Sequence, residues 1–293
     1  MTNTINKGHS VKSVCALLSI SRQGYYKRKQ KVKERELLYN TLEQVVIKKR
    51  QNKSRVGLRK IHTVENLSQV IGVNQFETVM KERGYALMRY KNYMKTTDSR
   101  GKHYLFDNLV AGKILNGENQ AISGDITYYK NGDELYYIFH FTDMYTNEVK
   151  GLIGSENMEG VVAQKCLRQV FQYNKIIKYD YKLKIHTDAG GQYRSHKFQS
   201  MLRRAKILPS HAKNCFENGL AERINGIIKN EYLVDYDIKS VSHLNRVLKK
   251  IQISINEEWP SNKLGNKTPK QFAQMTREMN IENRPKKLIK IVK

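Results

Sequence analysis

The segment AISGDITYYKNGDELYYIFHFTDMY, residues 121–145, carries two runs in which apolar and polar residues alternate. The dipeptide Asn131-Gly132 separates the two runs, and Asn-Gly between alternating stretches is the strongest short-range hairpin signal. We therefore predict two antiparallel strands joined by a tight turn. The next segment, EVKGLIG at 148–154, is predicted to add a third strand.

The segments that follow alternate between helical and strand patterns. We predict a helix over roughly 157–173, a strand at KLKIHTD, a helix at SHKFQSMLRRAK, a short strand at ILPSHA, and helices over about 218–233 and 240–256. The order βββ-α-β-α-β-α is that of an α/β, ribonuclease-H-like fold, which we place at 119–275. This fold places one acid on its first strand, a second at the end of its fourth strand and a third on a late helix.

Three acids stand at those positions: Asp125, Asp188 and Glu222. The chain has 53 Lys and Arg against 27 Asp and Glu and a formal net charge of +26, which predicts a nucleic-acid partner. Carboxylates that face a polyanion repel it unless a cation lies between them. We therefore predict that the three acids hold Mg²⁺ or Mn²⁺, as two ions, for phosphodiester chemistry. Water or a DNA 3′-hydroxyl would serve as the nucleophile.

Three residues close in sequence to Asp188 or Glu222 either compete with the proposed acids or could assist them. Glu217 competes for the third acidic position, but it precedes Asn218, which is a good helix N-cap, so Glu222 falls inside the helix. Lys229 lies seven residues after Glu222, two turns along the same helix face, where it either contacts a phosphate or is solvated. His186, two residues before the second acid on the same strand face, either supports the site or simply packs.

The region before the core is basic and helical, with 16 Lys or Arg and three acids in its first 60 residues. Apolar residues at 11, 14, 17 and 18 predict a short helix, and Ser21 is predicted to cap a second helix that is rich in basic and aromatic residues. Helix, turn and basic helix are the parts of a helix-turn-helix, which we assign to residues 1–50. A solvated basic arm is the alternative.

Residues 51–95 are predicted to form a second helical DNA-binding module. Asn74 and Glu77 have the spacing of a capping box, and Gly84 is predicted to end that helix. Residues 96–118 are polar and weakly periodic, and we interpret them as a linker whose lysines either follow the DNA backbone or form a solvated tether.

Composition excludes several classes of protein. No apolar run approaches the ~20 residues that span a bilayer, and the first ten residues lack the apolar core of a secretory signal. The three cysteines show no CxxC pairing, so neither a disulfide framework nor a cysteine-rich zinc site is expected. We expect a cytoplasmic, nucleoid-associated protein of bacterial type without a membrane partner. Residues 276–293 are predicted to be a basic tail.

Together these residues resemble the OrfB-type transposases of the insertion-sequence family "IS three", whose catalytic core is similar to that of retroviral integrases. The resemblance spans nearly the whole chain. The motifs that carry it are DITY at 125–128, HTD at 186–188 with GQY at 191–193, NGLAE at 218–222 with KNEYL at 229–233, NEEWP at 256–260 with TP at 268–269, and SRQGYY at 21–26.

The chain departs from the family pattern at three points. Ile122 stands where the family has Trp, and Ala189 stands where it has Arg. The 33 residues between Asp188 and Glu222 are slightly fewer than usual, which we interpret as a shorter loop around 211–215 with the helix register kept. None of these departures removes a proposed metal ligand. The paired His and Cys of the integrase zinc module are absent from the sequence.

The resemblance implies a DDE transposase that cuts and rejoins the ends of its own element. Its expected partners are element-end DNA and target DNA, further copies of itself on that DNA, and a protein from an overlapping upstream frame. Two alternatives remain: a non-catalytic DNA-binding protein of the same fold, and a ribonuclease-H-like nuclease that only hydrolyses.

Overall fold

A computed structural model of the chain describes residues 10–87, 106–213 and 215–290, without the side chains of Asn52, Cys215 and Asp235. Contacts divide the chain into two units, Met1–Leu87 and Met88–Lys293. None of the helices in the described part of the chain is long and apolar enough to cross a membrane.

The first unit is helical. Its helices are α1 (Val11–Leu17), α2 (Arg22–Asn52), α3 (Leu58–Val64) and α4 (Val73–Met80). Ser21 caps α2 as predicted, since its hydroxyl accepts a hydrogen bond from the Gly24 amide at 2.9 Å. The helix that it starts is 31 residues long, however, and the predicted boundary near residue 50 falls inside one continuous unit. Residues 26–37 of α2 are exposed all round, as expected of a helix segment without an apolar face.

The capping box predicted at Asn74 and Glu77 is absent. Helix α4 starts after Gly72, and no side chain caps it. Both predicted partners bind Arg59 of α3 instead, with Arg59 Nη2 to Asn74 Oδ1 at 3.0 Å and Arg59 Nε to Glu77 Oε2 at 2.7 Å. The spacing was right for a cap, but a nearby guanidinium offers both side chains a charge-assisted partner. The helical run does end at Gly84, whose φ is +90°.

The second unit is built on a mixed sheet. Its strands are β1 (Ile114–Leu115), β2 (Ala121–Asn131), β3 (Glu134–Asp143), β4 (Val149–Ser155), β5 (Lys184–Thr187), β6 (Leu208–His211) and β7 (Lys287–Leu288). Its helices are α5 (Gly160–Asn174), α6 (Gly191–Arg194), α7 (His196–Arg204), α8 (Gly219–Ile227), α9 (Val241–Glu257) and α10 (Pro269–Glu278). The main sheet has the order β4-β3-β2-β5-β6, while β1 and β7 form a separate pair.

This topology is that of the ribonuclease-H-like fold. The first three strands form an antiparallel meander, and β5 and β6 then join β2 in parallel. The predicted hairpin is confirmed, because Asn131 pairs with Glu134 and the turn consists of Gly132, with φ of +60°, and Asp133. The predicted fold class is therefore confirmed.

The main core lies where α5 and α7 cover the sheet. Ile122, Phe139 and Phe141 of the hairpin pack with Leu167 of α5 and Phe198 of α7. All five side chains are nearly or fully buried. Burial of apolar side chains is the main favourable contribution to folding. The β2–β3 hairpin, which supplies three of these side chains, therefore forms the centre of the second unit.

Gly124 is required for strand β2 to lie this close to its neighbours. A Cβ atom at this position would lie 2.3 Å from the Phe141 ring and 3.2 Å from the Thr187 methyl group. A side chain would therefore push β2 away from both β3 and β5. The glycine thereby sets the position of the next residue, Asp125.

Residues assigned to the linker and the tail pack onto the second unit. Val110 and Leu115 are buried with Phe272 of α10 in a second apolar cluster. Strand β1 pairs with β7, which lies within the segment predicted as a basic tail. The part of the linker at 106–118 is thus structured in the second unit, because its apolar residues find partners that are distant in sequence. Residues 88–105 lie outside the described residues.

Candidate functional site

Asp125 and Asp188 reach the same level on neighbouring strands. Strands β2 and β5 are parallel, and Ser123 pairs with His186. Asp125 follows Ser123 by two residues and lies in the middle of β2. Asp188 follows His186 by two residues and lies just past the end of β5. Adjacent strands lie about 4.8 Å apart, so the register brings together two acids that are 63 positions apart in sequence.

Gly190, two residues after Asp188, leaves room for the Asp188 carboxylate. The Gly190 amide donates a hydrogen bond to Asp188 Oδ1 at 3.1 Å. A Cβ atom at Gly190 would lie 2.9 Å from that oxygen and 2.8 Å from Gln192 Oε1. The space next to the Gly190 Cα is therefore used by the Asp188 carboxylate and by the Gln192 side chain.

Asn218 attaches the start of α8 to strand β2. Its Oδ1 accepts from the Ser123 hydroxyl at 2.6 Å, and its Nδ2 donates to the Gly124 carbonyl at 3.1 Å. It stands at the N-cap position, but its side chain makes no cap hydrogen bond. The predicted cap interaction is therefore absent, because the buried amide instead bonds Ser123 and Gly124, the two residues of β2 that precede Asp125.

A second asparagine connects α8 to the first acid. Asn225 Nδ2 donates to Asp125 Oδ2 at 2.8 Å. Behind this contact lies His140, which is Asp125's partner across the hairpin; its fully buried ring bonds Thr142 through Nδ1 at 3.1 Å. Burial lowers the pKa of His140 to about 4, so the ring is neutral at pH 7. Sequence analysis missed Asn225; its only signal was its position three residues after Glu222, on the same helix face.

The structure separates the two candidates for the third acid. Glu217 lies in the turn Cys215–Asn218, and its Oε2 accepts from the Lys213 amide at 2.7 Å and from Asn108 Nδ2 at 2.8 Å. Glu222 lies in the first turn of α8 with its side chain exposed. Its charge, unlike that of Glu217, contributes to the shifted pKa of Asp125.

The electrostatics of the site are concentrated at Asp125. Burial, together with the negative charges of Asp188 and Glu222, raises its pKa from the ordinary value of 3.8 to about 6. The hydrogen bond from Asn225 works in the opposite direction. The carboxylate is thus placed where its ionised form is unfavourable without a compensating positive charge.

Asp125→Asn is expected to stabilise the metal-free protein by about 1–3 kcal/mol above pH 6. The native carboxylate binds its proton more tightly than the unfolded chain does, so its ionisation costs stability above pH 6. The neutral amide avoids this cost and can still accept from Asn225. The gain should disappear between pH 6 and about 4, as the native carboxylate becomes protonated.

Urea unfolding of both proteins in chelator between pH 4 and 8 measures this effect. Glu282→Gln, on the exposed surface of the same unit, serves as the control and should show no such pH-dependent gain. An equal gain at pH 4 and pH 8 for Asp125→Asn would contradict the electrostatic origin.

Lys229 lies close to Asp125, in the turn that follows the end of α8. Helix α8 ends at Ile227, and Lys229 belongs to the π-helical turn Ile228–Tyr232. Its Nζ lies 4.9 Å from the centre of the Tyr128 ring, three residues along β2 from the first acid. Burial lowers its pKa, and the charge of Asp125 opposes that shift. It is therefore a half-buried cation close to the acidic cluster.

The two histidines near Asp188 are buried. His186 packs, with Nδ1 2.9 Å from the Ser210 hydroxyl and Nε2 3.3 Å from the Glu217 carbonyl. Its pKa is lowered by burial to about 4, so it contributes no charge at pH 7. His211 ends β6 and contacts Phe106, with ring centres 5.2 Å apart. Neither of its ring nitrogens has a hydrogen-bond partner in the described part of the chain.

The donor set suits a hard divalent cation, although the three acids do not form a ready-made cage. Among the described residues, no group of three or more His, Cys, Asp and Glu side chains is arranged to hold a metal ion. Two buried polar atoms close to the acids, Asn225 Oδ1 and Tyr193 Oη, lack a partner within that part of the chain. Carboxylate oxygens with further oxygens nearby are the ligands that Mg²⁺ and Mn²⁺ prefer.

Comparisons with known proteins match the second unit to one family. Two family models, both described as integrase core domain, match residues 116–214 and 203–269. An uncharacterized 31 kDa protein of insertion element IS600 from Shigella sonnei is 23% identical over 280 residues, which covers 91% of this chain and 99% of that protein. Transposase InsF for insertion sequence IS3A from Escherichia coli K12 is 24% identical over 222 residues, 73% of this chain and 76% of that protein.

Solved structures with similarity to this chain include two viral integrase assemblies. The catalytic core domain of HTLV-2 integrase in complex with magnesium aligns with a TM-score of 0.43 and 23% identity, over 57% of this chain and 99% of that one. The simian T-cell lymphotropic virus intasome in complex with the PP2A regulatory subunit B56 gamma aligns with a TM-score of 0.48 and 18% identity, over 76% of this chain and 77% of that one.

Proposed function

We propose a mechanism for this chain from the premise that it is an insertion-sequence transposase of the IS3 type, whose integrase core makes it a polynucleotidyl transferase. The proposed reaction is cleavage of the element ends followed by joining of their 3′-hydroxyls to target DNA. The observation that carries it is the convergence of Asp125 and Asp188 at one level of the sheet, with α8 and Glu222 tied to the same strand.

In this proposal Asp125, Asp188 and Glu222 hold two Mg²⁺ or Mn²⁺ ions. When bound, such ions activate the attacking oxygen and stabilise the leaving oxygen of an in-line displacement. The bond between phosphorus and the incoming 3′-oxygen forms as a P–O bond of the target breaks, so no covalent protein intermediate is needed. In this proposal the exposed side chain of Glu222 turns toward the other two acids to complete the ligand set.

The surrounding residues position the acids and the DNA. Asn225 holds one oxygen of Asp125 toward α8 by donating a hydrogen bond to it. Asn218 ties the start of α8 to β2 through bonds with the Ser123 hydroxyl and the Gly124 carbonyl. Lys229, half-buried next to Tyr128, contacts a phosphate beside the reacting one.

The helical first unit is proposed to bind DNA. Helices α1 and α2 begin with a capped turn, and the exposed segment 26–37 of α2 carries basic side chains on all sides. Two element ends have to be held together for joining, so we propose that the protein works as a homo-oligomer on DNA. A protein from an overlapping upstream frame is a further candidate partner.

Purified protein with Mg²⁺ is expected to join a labelled 3′-OH element end into a target plasmid. The DNA that flanks the coding frame is to be searched for the inverted repeats that serve as element ends, and chelator should prevent joining. Hydrolysis of the ends without joined product would indicate the nuclease alternative. Metal-independent binding without either product would indicate a non-catalytic DNA-binding protein.

A further inference from the structure

We propose that a basic pocket at the far end of the sheet from the acids binds the phosphate backbone of DNA without sequence preference. This pocket, here named the strand-start pocket, has a volume of about 700 Å³ and lies where β2 and β5 begin. Its walls are β1, residues 116–120, residues 176–182 and the segment that includes Ile281 and Arg284. The identity of the polyanion as DNA rests on the proposed function, whereas the site itself rests on the charges and geometry that follow.

Five cations line the pocket and lack acidic partners. They are Lys113, Lys178, Lys182, Lys184 and Arg284. None of the five forms an ion pair within the described residues. The contacts that two of them make are to backbone carbonyls, with Lys184 Nζ 3.4 Å from the Lys182 oxygen and Arg284 Nε 3.1 Å from the Met279 oxygen. Such a group of like charges repels itself and favours a bound anion.

The two acids of the pocket are already neutralised. Glu118 accepts two hydrogen bonds from Arg277, at 2.6 and 2.8 Å, and lies 3.6 Å from the buried ammonium of Lys150. Asp180 pairs with Lys206 at 3.2 Å, and both of these side chains are largely exposed. The five lining cations therefore carry the net charge of the pocket.

The walls of the pocket are held in place by the fold. The backbone amides of Tyr179 and Tyr181 donate to the carbonyls of Ala205 and Lys206 at 2.8 and 2.6 Å. On the other side, the Gln120 side chain accepts from the backbone amide of Asn116 at 2.9 Å. A site held by such contacts loses little conformational freedom when it binds a ligand.

The pocket suits a backbone of repeated charges better than bases or a small ion. A single phosphate would satisfy one or two of the five cations and leave the others unpaired. Tyr179, the aromatic residue of the lining, is only 7% exposed and offers no stacking platform for a base. The chain's own segment 88–105 is a poor occupant, since its one acid, Asp98, stands among five Lys and Arg.

The pocket is separated from the chemistry. Ala121 and Lys184 begin the strands that carry Asp125 and lead to Asp188 four residues later, a distance of about 13 Å along the sheet. Along the axis of duplex DNA, each strand carries one charge about every 3.4 Å. The phosphates bound in the pocket therefore lie roughly four nucleotides from the reacting phosphate. The pocket lysines are thus expected to act on DNA capture and not on the joining step.

Removing three exposed pocket lysines should reduce the salt dependence of DNA binding. The variant K113Q/K178Q/K182Q of the full chain is compared with K249Q/K250Q/K263Q, which removes the same charge from exposed positions elsewhere in the unit. Binding of duplex and of single-stranded DNA is measured in chelator from 50 to 300 mM salt. Each lost phosphate contact lowers the log–log slope by about 0.9, so the pocket variant should lose about 2–3 from the slope and the control less than about 1. Equal losses in the two variants would overturn the proposal.

Lysine acetylation read by mass spectrometry locates the contact in the unmodified protein. Lys113, Lys178 and Lys182 should be protected when DNA is added, while Lys249 and Lys250 stay reactive. Modification of the pocket lysines in saturated complex would overturn the proposal. Their protection before DNA is added would also overturn it, because the chain itself or a second copy would then fill the pocket.

These readouts do not depend on catalysis. Protection of the pocket lysines in a protein that joins no DNA would support the pocket while the proposed reaction failed. Joining activity in a protein whose pocket lysines stay reactive would leave the reaction standing and remove the pocket.

Discussion

Asp125→Asn, Asp188→Asn and Glu222→Gln are each expected to lower DNA joining by at least about 10³-fold, a loss of roughly 4 kcal/mol of transition-state stabilisation. Each substitution keeps the shape of the side chain and removes one charged oxygen from the proposed metal site. Asp125 and Asp188 share one level of the sheet, and Glu222 lies in the first turn of α8. DNA binding should stay the same or strengthen slightly, since a negative charge is removed from a surface that faces phosphates.

Glu217→Gln is the matched control for Glu222→Gln, because the two acids are five residues apart on the same stretch of chain. Glu217 is bound to the Lys213 amide and to Asn108, so its loss should affect stability more than joining. Joining rates with Mg²⁺, measured beside thermal unfolding, separate the two effects. Full activity in any of the three acidic variants would remove that residue from the ligand set.

Raising salt from 50 to 200 mM is expected to weaken DNA binding by the full chain by about 10³-fold or more, as for a protein that contacts six or more phosphates. The formal charge of +26 supplies many candidate contacts, and those phosphates release counterions when they are neutralised. Fluorescence anisotropy with a short duplex measures the slope of log K against log salt.

The control for the salt effect uses the same duplex with the Asp188→Asn protein. Its slope should match that of the natural chain, because the acid binds no phosphate directly in the absence of metal. A flat response in the natural chain would show that binding does not depend on the basic surface, and the nucleic-acid interpretation of the composition would fail.

Local patterns predicted elements of both units well. The hairpin around Gly132, the capped start of α2 at Ser21 and the order of strands and helices all depend on residues that are close in sequence. Such features are readable because alternation, helical period and turn chemistry act over a few residues. The three acids could be found in the same way, since each occupies a recognisable place on its own element.

Features that depend on distant partners were predicted poorly. Asn74 and Glu77 had the spacing of a capping box, yet Arg59 of another helix binds both. Asn218 was expected to cap α8, and it bonds strand β2 instead. Asn225, whose only signal in the sequence was its spacing from Glu222, was missed although it contacts the first acid. In each case a side chain has several possible hydrogen-bond partners, and only the packed structure brings one of them within reach.

The sequence by itself determined the class of fold and the basic character, and it supplied the three acids that are proposed as metal ligands, because these inferences follow from periodicity, charge and residue type. Only the tertiary structure decided that Asp125 and Asp188 share one level, that Glu217 is engaged elsewhere, and that burial beside like charges raises the pKa of Asp125 to about 6. The physical reason is that strand register, burial and Coulomb interactions are properties of neighbours in space. Those neighbours can lie 100 or more residues apart in the chain, as the bonds from Asn225 to Asp125 and from Asn108 to Glu217 show.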